Sequence, residues 1–426
     1  MEGYVKGIKQ KIKKIIGLRN IIVIKRSLCY LKGFFLILEK EKIKLNENYI
    51  DGITELSQKG RNVFCGYYDV PIFDKKNENI LVHVVRKKAR PGHDTAVIGI
   101  YDIKGRKFRK IAETFAWNWQ QGSRLRWSVK DDDCILFNQY ENGSYFCSKI
   151  NIYTGKEMNR YCDALYDISF DERYGVTCDF PRLQRLRPGY GYSNIQDESI
   201  YEYAPADKGL YLVDLVENKK ILLVSLDELA NLNDKESVYQ HYINALLFSP
   251  DGNKIMFFHI YNIHNSLSFR WRTQLCTYDI KKSKLHILED KANVSHYTWL
   301  NNRELLITGS TIPDCKAFYR IYNCEKKSYM EITDLVLKED GHPSKCKGSD
   351  WIITDTYPDK RQYQNLIKYD MKMKQGKTLA ALFSFPRICE EKRCDLHPKV
   401  SSTGNMIAID STCKGGQREV IILQLK

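Results

Sequence analysis

Asp395-Leu396-His397-Pro398 runs into Val400-Ser401-Ser402-Thr403-Gly404-Asn405-Met406-Ile407-Ala408-Ile409-Asp410, and the same order of residue types occurs six more times along the chain. Each unit has a polar lead-in, a short apolar run, a turn rich in Asp, Asn and Gly, and a second apolar run ending on polar groups. The other units begin near Phe64, Gln120, Asp163, His241, Ser295 and Asp340. Their spacing is roughly 45 to 55 residues, with one gap near 78 after Asp163, which matches propeller periods better than shorter solenoid repeats. Between units lies a second recurring element, for example Ile100-Tyr101-Asp102-Ile103-Lys104-Gly105 and Ile367-Lys368-Tyr369-Asp370-Met371. It reads as an alternating strand entering a tight turn, hence the outer hairpin of a blade. The reading is an all-β, seven-bladed β-propeller over residues 49–426, preceded by a short helical extension over residues 1–48. Residues 420–425 give the last blade only a third strand, so residues 52–56 are expected to supply its fourth and close the ring.

The chain has 426 residues, which one propeller fills almost completely, and its 28 tyrosines suit stacked sheets with large side chains between them. Thirteen cysteines, no CxxC pair and no evident cleavable export signal point to free thiols in a reducing cytoplasm. Cys134, Cys178 and Cys276 lie in strand-like runs and read as small buried hydrophobes, and the close pair Cys389 and Cys394 is not read as a zinc site.

The net charge of +15 is uneven, because residues 1–44 carry twelve Lys or Arg against Glu2, Glu39 and Glu41. Tyr4, Ile8, Ile12, Ile15 and Ile16 recur at helical spacing with lysines mostly elsewhere on the wheel, which describes a basic amphipathic helix suited to an anionic membrane surface or to packing on the propeller. The apolar run from Leu28 to Leu38 is broken by Lys32 and is too short to span roughly 30 Å of hydrocarbon. The expectation is a peripheral protein of the inner face of the cytoplasmic membrane, a monomer with no nucleic-acid partner, since zinc-finger and RNA-recognition patterns are absent.

In a propeller, residues before each inner strand and after each second strand share one rim. That rim gathers Tyr67, Tyr68, Gln120, Gln121, Arg124, His296, His342, Asp355, His397 and Asp410 from several blades, a convergent polar cluster of the kind that binds ligands. His296, His342 and His397 fall at equivalent positions of three successive blades and are candidate ligands of a divalent metal, or caps of their inner strands. Asp355, Asp410 and Arg124 are the candidate catalytic groups, the two acids being alternatively turn caps. In the long gap, Arg182, Arg185 and Arg187 precede Tyr190 and Tyr192, and Arg270 and Arg272 repeat the pattern. Guanidinium forks beside flat rings suit an anionic sugar. No GxSxG elbow, P-loop or HExxH helix is present, and Asp131-Asp132-Asp133 reads as a turn between two strands.

The units Phe248-Ser249-Pro250-Asp251-Gly252, Asp340-Gly341-His342-Pro343 through Asp355, and Cys394-Asp395-Leu396-His397-Pro398 through Ser411 resemble the TolB-type, WD40-like propeller repeat as used in the oligogalacturonate lyase group. With Trp117-Asn118-Trp119-Gln120-Gln121-Gly122 and Arg187-Pro188-Gly189-Tyr190-Gly191-Tyr192, the chain is also similar to propeller proteins found among bacterial surface-polysaccharide genes. The lyase resemblance implies a divalent metal, manganese or similar, held by His342 and His397 on the central face; that family's Gln ligand and tight His-x-His pair are not matched. The expected function is a carbohydrate-active enzyme working on an anionic or lipid-linked glycan in surface-polysaccharide biosynthesis. The alternatives are a metal-dependent oligouronate β-elimination lyase and a noncatalytic propeller that binds a glycan or a protein.

Overall fold

The structure, a computed structural model, describes residues 42–232, 239–263, 271–346, 348–386 and 390–426. The basic extension over residues 1–41 and Arg270 lie outside these. Among the described residues no helix is long and apolar enough to cross a membrane.

Seven antiparallel sheets follow one another round a ring, six of four strands and one of five. The second and third strands of a blade are its most apolar, as in Asn79–Arg86 (NILVHVVR), where the six central residues are buried. Such runs form because neighbouring blades cover both faces of a sheet, so β-branched residues are buried whichever way they point. The turns Ser249-Pro250-Asp251-Gly252 and Ser402-Thr403-Gly404-Asn405 lie on the face away from the histidines; Gly252 (φ +70°) and Gly404 (φ +75°) take the left-handed backbone these turns need.

Ring closure follows the sequence expectation. Ile50–Leu56 pairs antiparallel with Glu419–Leu425, Ile53 opposite Leu423, as the fourth strand of blade seven. Residues 43–45, counted with the helical extension in the sequence reading, form instead a fifth strand of blade six against Gln375–Phe383.

A polar clasp joins blades near the channel. A residue toward the end of a second strand bonds the inner lead-in of the next blade: His83 Nε2 accepts from Ser123 N–H (3.0 Å), Asn138 Nδ2 donates to Leu165 O (2.8 Å), Asp355 Oδ2 accepts from His397 N–H (3.1 Å) and Asp410 Oδ1 accepts from Cys65 N–H (2.8 Å). Buried backbone groups of the lead-ins need such partners, because the inner strands are interrupted there. The interruptions are visible as a register slip between Val294 and His296 and as positive φ at Arg124, Ala245 and His397. They turn side chains out of the ladder into the central channel.

The long gap of the third unit is an insertion between Tyr174–Thr177 and Gly209–Asp214. It holds a helix, Phe180–Leu186, capped by the Asp179 side chain, with Pro181 in its first turn.

Candidate functional site

Blades five, six and seven bring His296, His342 and His397 together in the channel. Their ring centroids lie 4.0 Å apart for His296 and His342 and 4.5 Å for His342 and His397. A carboxylate fixes each of the first two: His342 Nδ1 lies 2.8 Å from Asp355 Oδ1, and His296 Nδ1 lies 3.1 Å from Asp340 Oδ1. With Nδ1 as the donor, the lone pair of each ring is left on Nε2, the arrangement that a carboxylate behind a metal-binding imidazole imposes. The Nε2 atoms of His296, His342 and His397 are all buried and make no hydrogen bond among the described residues. A buried polar atom without a partner costs about 1–3 kcal/mol, so three together call for a ligand.

His342, Asp395 and His397 each offer a ligand atom, and these atoms all lie within 4.8 Å of one another. Two imidazoles and a carboxylate are a donor set that zinc, manganese and iron accept at about 2.0–2.2 Å, so the residues fit a divalent cation after a small inward shift. Asp395 is gripped by Arg393, whose Nη2 donates to Oδ2 (2.7 Å) and Nε to Oδ1 (2.8 Å). Gln120 holds the Arg393 loop in turn, its Nε2 donating to the carbonyls of Glu391 (3.0 Å) and Arg393 (2.8 Å).

The electrostatics divide the roles. Burial opposes protonation of His342, but the Asp355 carboxylate outweighs it and moves His342 above the ordinary range. Burial, then the neighbouring His342, push both His296 and His397 down. Burial would raise Asp395, but Arg393 keeps it below the usual carboxylate range, and His296 does the same for Asp340.

Aromatic rings wall the cluster. Tyr67 meets His397 edge-on at 4.8 Å, Tyr68 lies 5.4 Å from His342, and Tyr357 approaches His342 at 5.7 Å with Arg393 over its ring at 4.9 Å. From Tyr67 the wall continues to Tyr190 (6.0 Å), to Arg187 stacked on Tyr190 (4.4 Å) and to the exposed Trp271, 5.9 Å from that guanidinium. Arg187 forms no ion pair with a carboxylate among the described residues.

Most of the other sequence candidates have structural employment. Arg182 is almost wholly buried, donating to the carbonyls of His241, Ser199, Glu202 and Tyr203, and Arg185 pairs with Asp197 at 2.7 Å, so both hold the insertion together rather than face a ligand. Tyr192 packs flat on Phe180 at 4.4 Å. Arg124 forms a two-pronged ion pair with Asp69 (2.9 and 3.1 Å), Gln121 donates to Tyr166 Oη (2.6 Å), and both belong to a neighbouring hub. Arg272 is exposed at the start of the third strand of blade four, beside Trp271. Asp355 orients His342, while Asp410 clasps blade one at Cys65. Arg393, Asp340 and Tyr357 were missed. The recurrence of Asp-x-His at 340–342 and 395–397 was the available signal for the acids.

No protein-family model matches the chain, and no curated protein matches it. Among solved structures it is similar to an oligogalacturonate lyase in complex with manganese (13% identity, TM-score 0.64, covering 91% of this chain and 97% of that one). It is also similar to the oligogalacturonate lyase of Vibrio parahaemolyticus (11% identity, TM-score 0.60, 91% and 98%). A third is the β-propeller domain of the Trilobed protease from Pyrococcus furiosus (11% identity, TM-score 0.50, 86% and 97%). At these identities the likeness is one of fold: the chain is a seven-bladed, TolB-like propeller of the architecture found in oligogalacturonate lyase.

Proposed function

We propose that the chain is a metal-dependent enzyme that cleaves an acidic, uronate-containing glycan by β-elimination. The observation that carries this reading is the convergence of three unpartnered buried Nε2 atoms beside Asp395 in the channel. His342, His397 and Asp395 would hold the cation, manganese being the ion of the similar lyase. Bound there, a divalent cation supplies positive charge that fixes a uronate carboxylate and makes the adjacent C5–H more acidic.

The chain's own residues do the rest. His296 stands outside the ligand triad, kept neutral by burial and oriented by Asp340, so its Nε2 lone pair serves as the base for the C5 proton. As that proton leaves, the C4–O bond breaks, the C4=C5 double bond forms, and the glycosidic oxygen departs. Burial keeps the Tyr67 phenol protonated, and with its ring packed edge-on against His397 it would return a proton to the leaving oxygen. Arg187 offers a guanidinium to a second carboxylate, and Tyr190 and Trp271 offer flat faces to the sugar rings.

The test is metal content of the purified protein together with the ultraviolet absorbance of an unsaturated uronate formed from oligogalacturonate and manganese. The expected result is one ion per chain and product formation, both lost in His342→Ala, while His296→Ala keeps the ion and loses turnover. A protein that binds no ion, or a His342→Ala variant with unchanged metal content, overturns the reading. Metal binding without product from any uronate glycan reduces it to a noncatalytic glycan-binding propeller.

A further inference from the structure

Blades four and five enclose a cleft of about 300 Å³ at the far side of the disc. Lys254 opens the second strand of blade four, whose other end, past His259, runs toward the histidine face. Strand register builds one wall. Lys254, Asp279 and Lys284 lie directly across from one another on three adjacent strands, and two residues along are Thr277 and His286, again opposite each other. Residues two apart share a face, so both rows point into the cleft. Opposite stands the outer turn of blade five with Glu325 and Lys327.

The charges do not balance. Asp279 lies 3.7 Å from Lys282, and Glu325 pairs with Arg303 at 3.3 Å. That leaves Lys254, Lys284 and Lys327 with no carboxylate partner among the described residues; Lys254 Nζ has only the Asn302 carbonyl, at 3.3 Å. His286 registers the excess: burial, then Lys327 and Lys284, push its imidazole below the ordinary range, against the opposing pull of Asp279. Separate ammonium point charges round a hydroxyl and an imidazole suit a tetrahedral oxyanion with several acceptor oxygens. A planar carboxylate is better matched by an arginine fork, and among the described residues no arginine lines the cleft.

We propose that this inter-blade cleft binds a phosphate or sulfate group, held by Lys254, Lys284 and Lys327 with Thr277 and His286 as hydrogen-bonding partners. The site is on the opposite face from the histidine cluster and stands or falls independently of the lyase reading.

The experiment follows the His286 imidazole by NMR during titration with inorganic phosphate, the signal being assigned with His286→Gln. The apparent pKa of His286 is expected to rise and saturate with phosphate. The surface variant Lys284→Ala with Lys327→Ala is expected to weaken phosphate binding at least tenfold at an unchanged Tm. Glycerol phosphate and vesicles containing phosphatidic acid separate the sources: equal competition by the soluble ester marks a free ligand, and binding confined to the vesicles marks a lipid headgroup. The proposal is overturned if neither probe binds, or if phosphate acts on the double variant as it does on the parent chain.

Discussion

Two polar clusters share the central channel, and they differ in how completely they are satisfied. Around Arg124 every nitrogen of the guanidinium has an acceptor: Asp69 takes Nη1 and Nη2, the Tyr166 carbonyl takes Nε at 2.7 Å, and Tyr297 Oη donates to Asp69 Oδ2 at 2.8 Å. Around His342 the outer nitrogens are fixed by Asp355 and Asp340, but the inner ones are left open. Both clusters are buried and both contain charge. A guanidinium with every nitrogen matched specifies how blades meet, even though Gln121 Oε1 beside it lacks a partner, whereas three converging imidazole lone pairs without donors describe a cavity built for something else.

The largest expected effect separates the two. Arg124→Ala leaves Asp69 buried without its cation and should lower stability by about 3–5 kcal/mol in thermal or denaturant unfolding, with metal stoichiometry of the folded fraction unchanged. Loss of metal at an unaltered Tm would erase the distinction. Asp355→Asn acts on the other side. Metal affinity by calorimetry should fall about 10–100-fold, because the amide keeps one acceptor oxygen but loses the charge that orients and polarises the His342 ring, and sets a donor where the His397 N–H was accepted.

Next in size is the pH dependence. Protonation of His342 occurs at Nε2, the atom offered to the metal, and its folded pKa lies above the ordinary ~6.5. The gain in Tm on adding metal should therefore grow as pH rises from about 6 to 8. Without metal the signs oppose. The His342–Asp355 contribution is fully present below about 6.5 and is lost as pH rises through the raised folded value. His397, depressed by burial, instead costs stability as pH falls below about 6.5, since only the unfolded chain then takes up the proton. A metal-free Tm profile without these opposed slopes would contradict the assigned environments. The smallest effect compares two arginines of one helix segment: Arg187→Lys should raise KM for an oligouronate about tenfold with kcat nearly unchanged, and Arg182→Lys should lower Tm without that KM change.

The propeller was legible because blade periodicity is a property of every residue in the repeat, and even the closing strand at 50–56 could be placed by counting what blade seven lacked. The meeting of His296, His342 and His397 was legible for the same reason, as equivalent positions in adjacent units. The arginines were not. Arg182, Arg185 and Arg187 alternate on one short stretch, yet whether a guanidinium faces a ligand depends on Ser199, Asp197 and Gln240, brought in by the folding of the insertion. Asp355 and Asp410 likewise occupy equivalent positions and each accepts a backbone N–H of the next blade, from His397 and Cys65, but of the two only Asp355 also holds the imidazole of its own lead-in, His342.

The pairing of residues 50–56 with residues 419–425 has a consequence for biogenesis. During translation the early strand must wait, uncovered, for a partner that lies more than 360 residues further along the chain, and His397 cannot meet Tyr67 until that seam is zipped. On the proposed reading, an ion could be held only after that seam closes, because a nascent chain that has not reached Asp395 carries only His342 of the three candidate ligands.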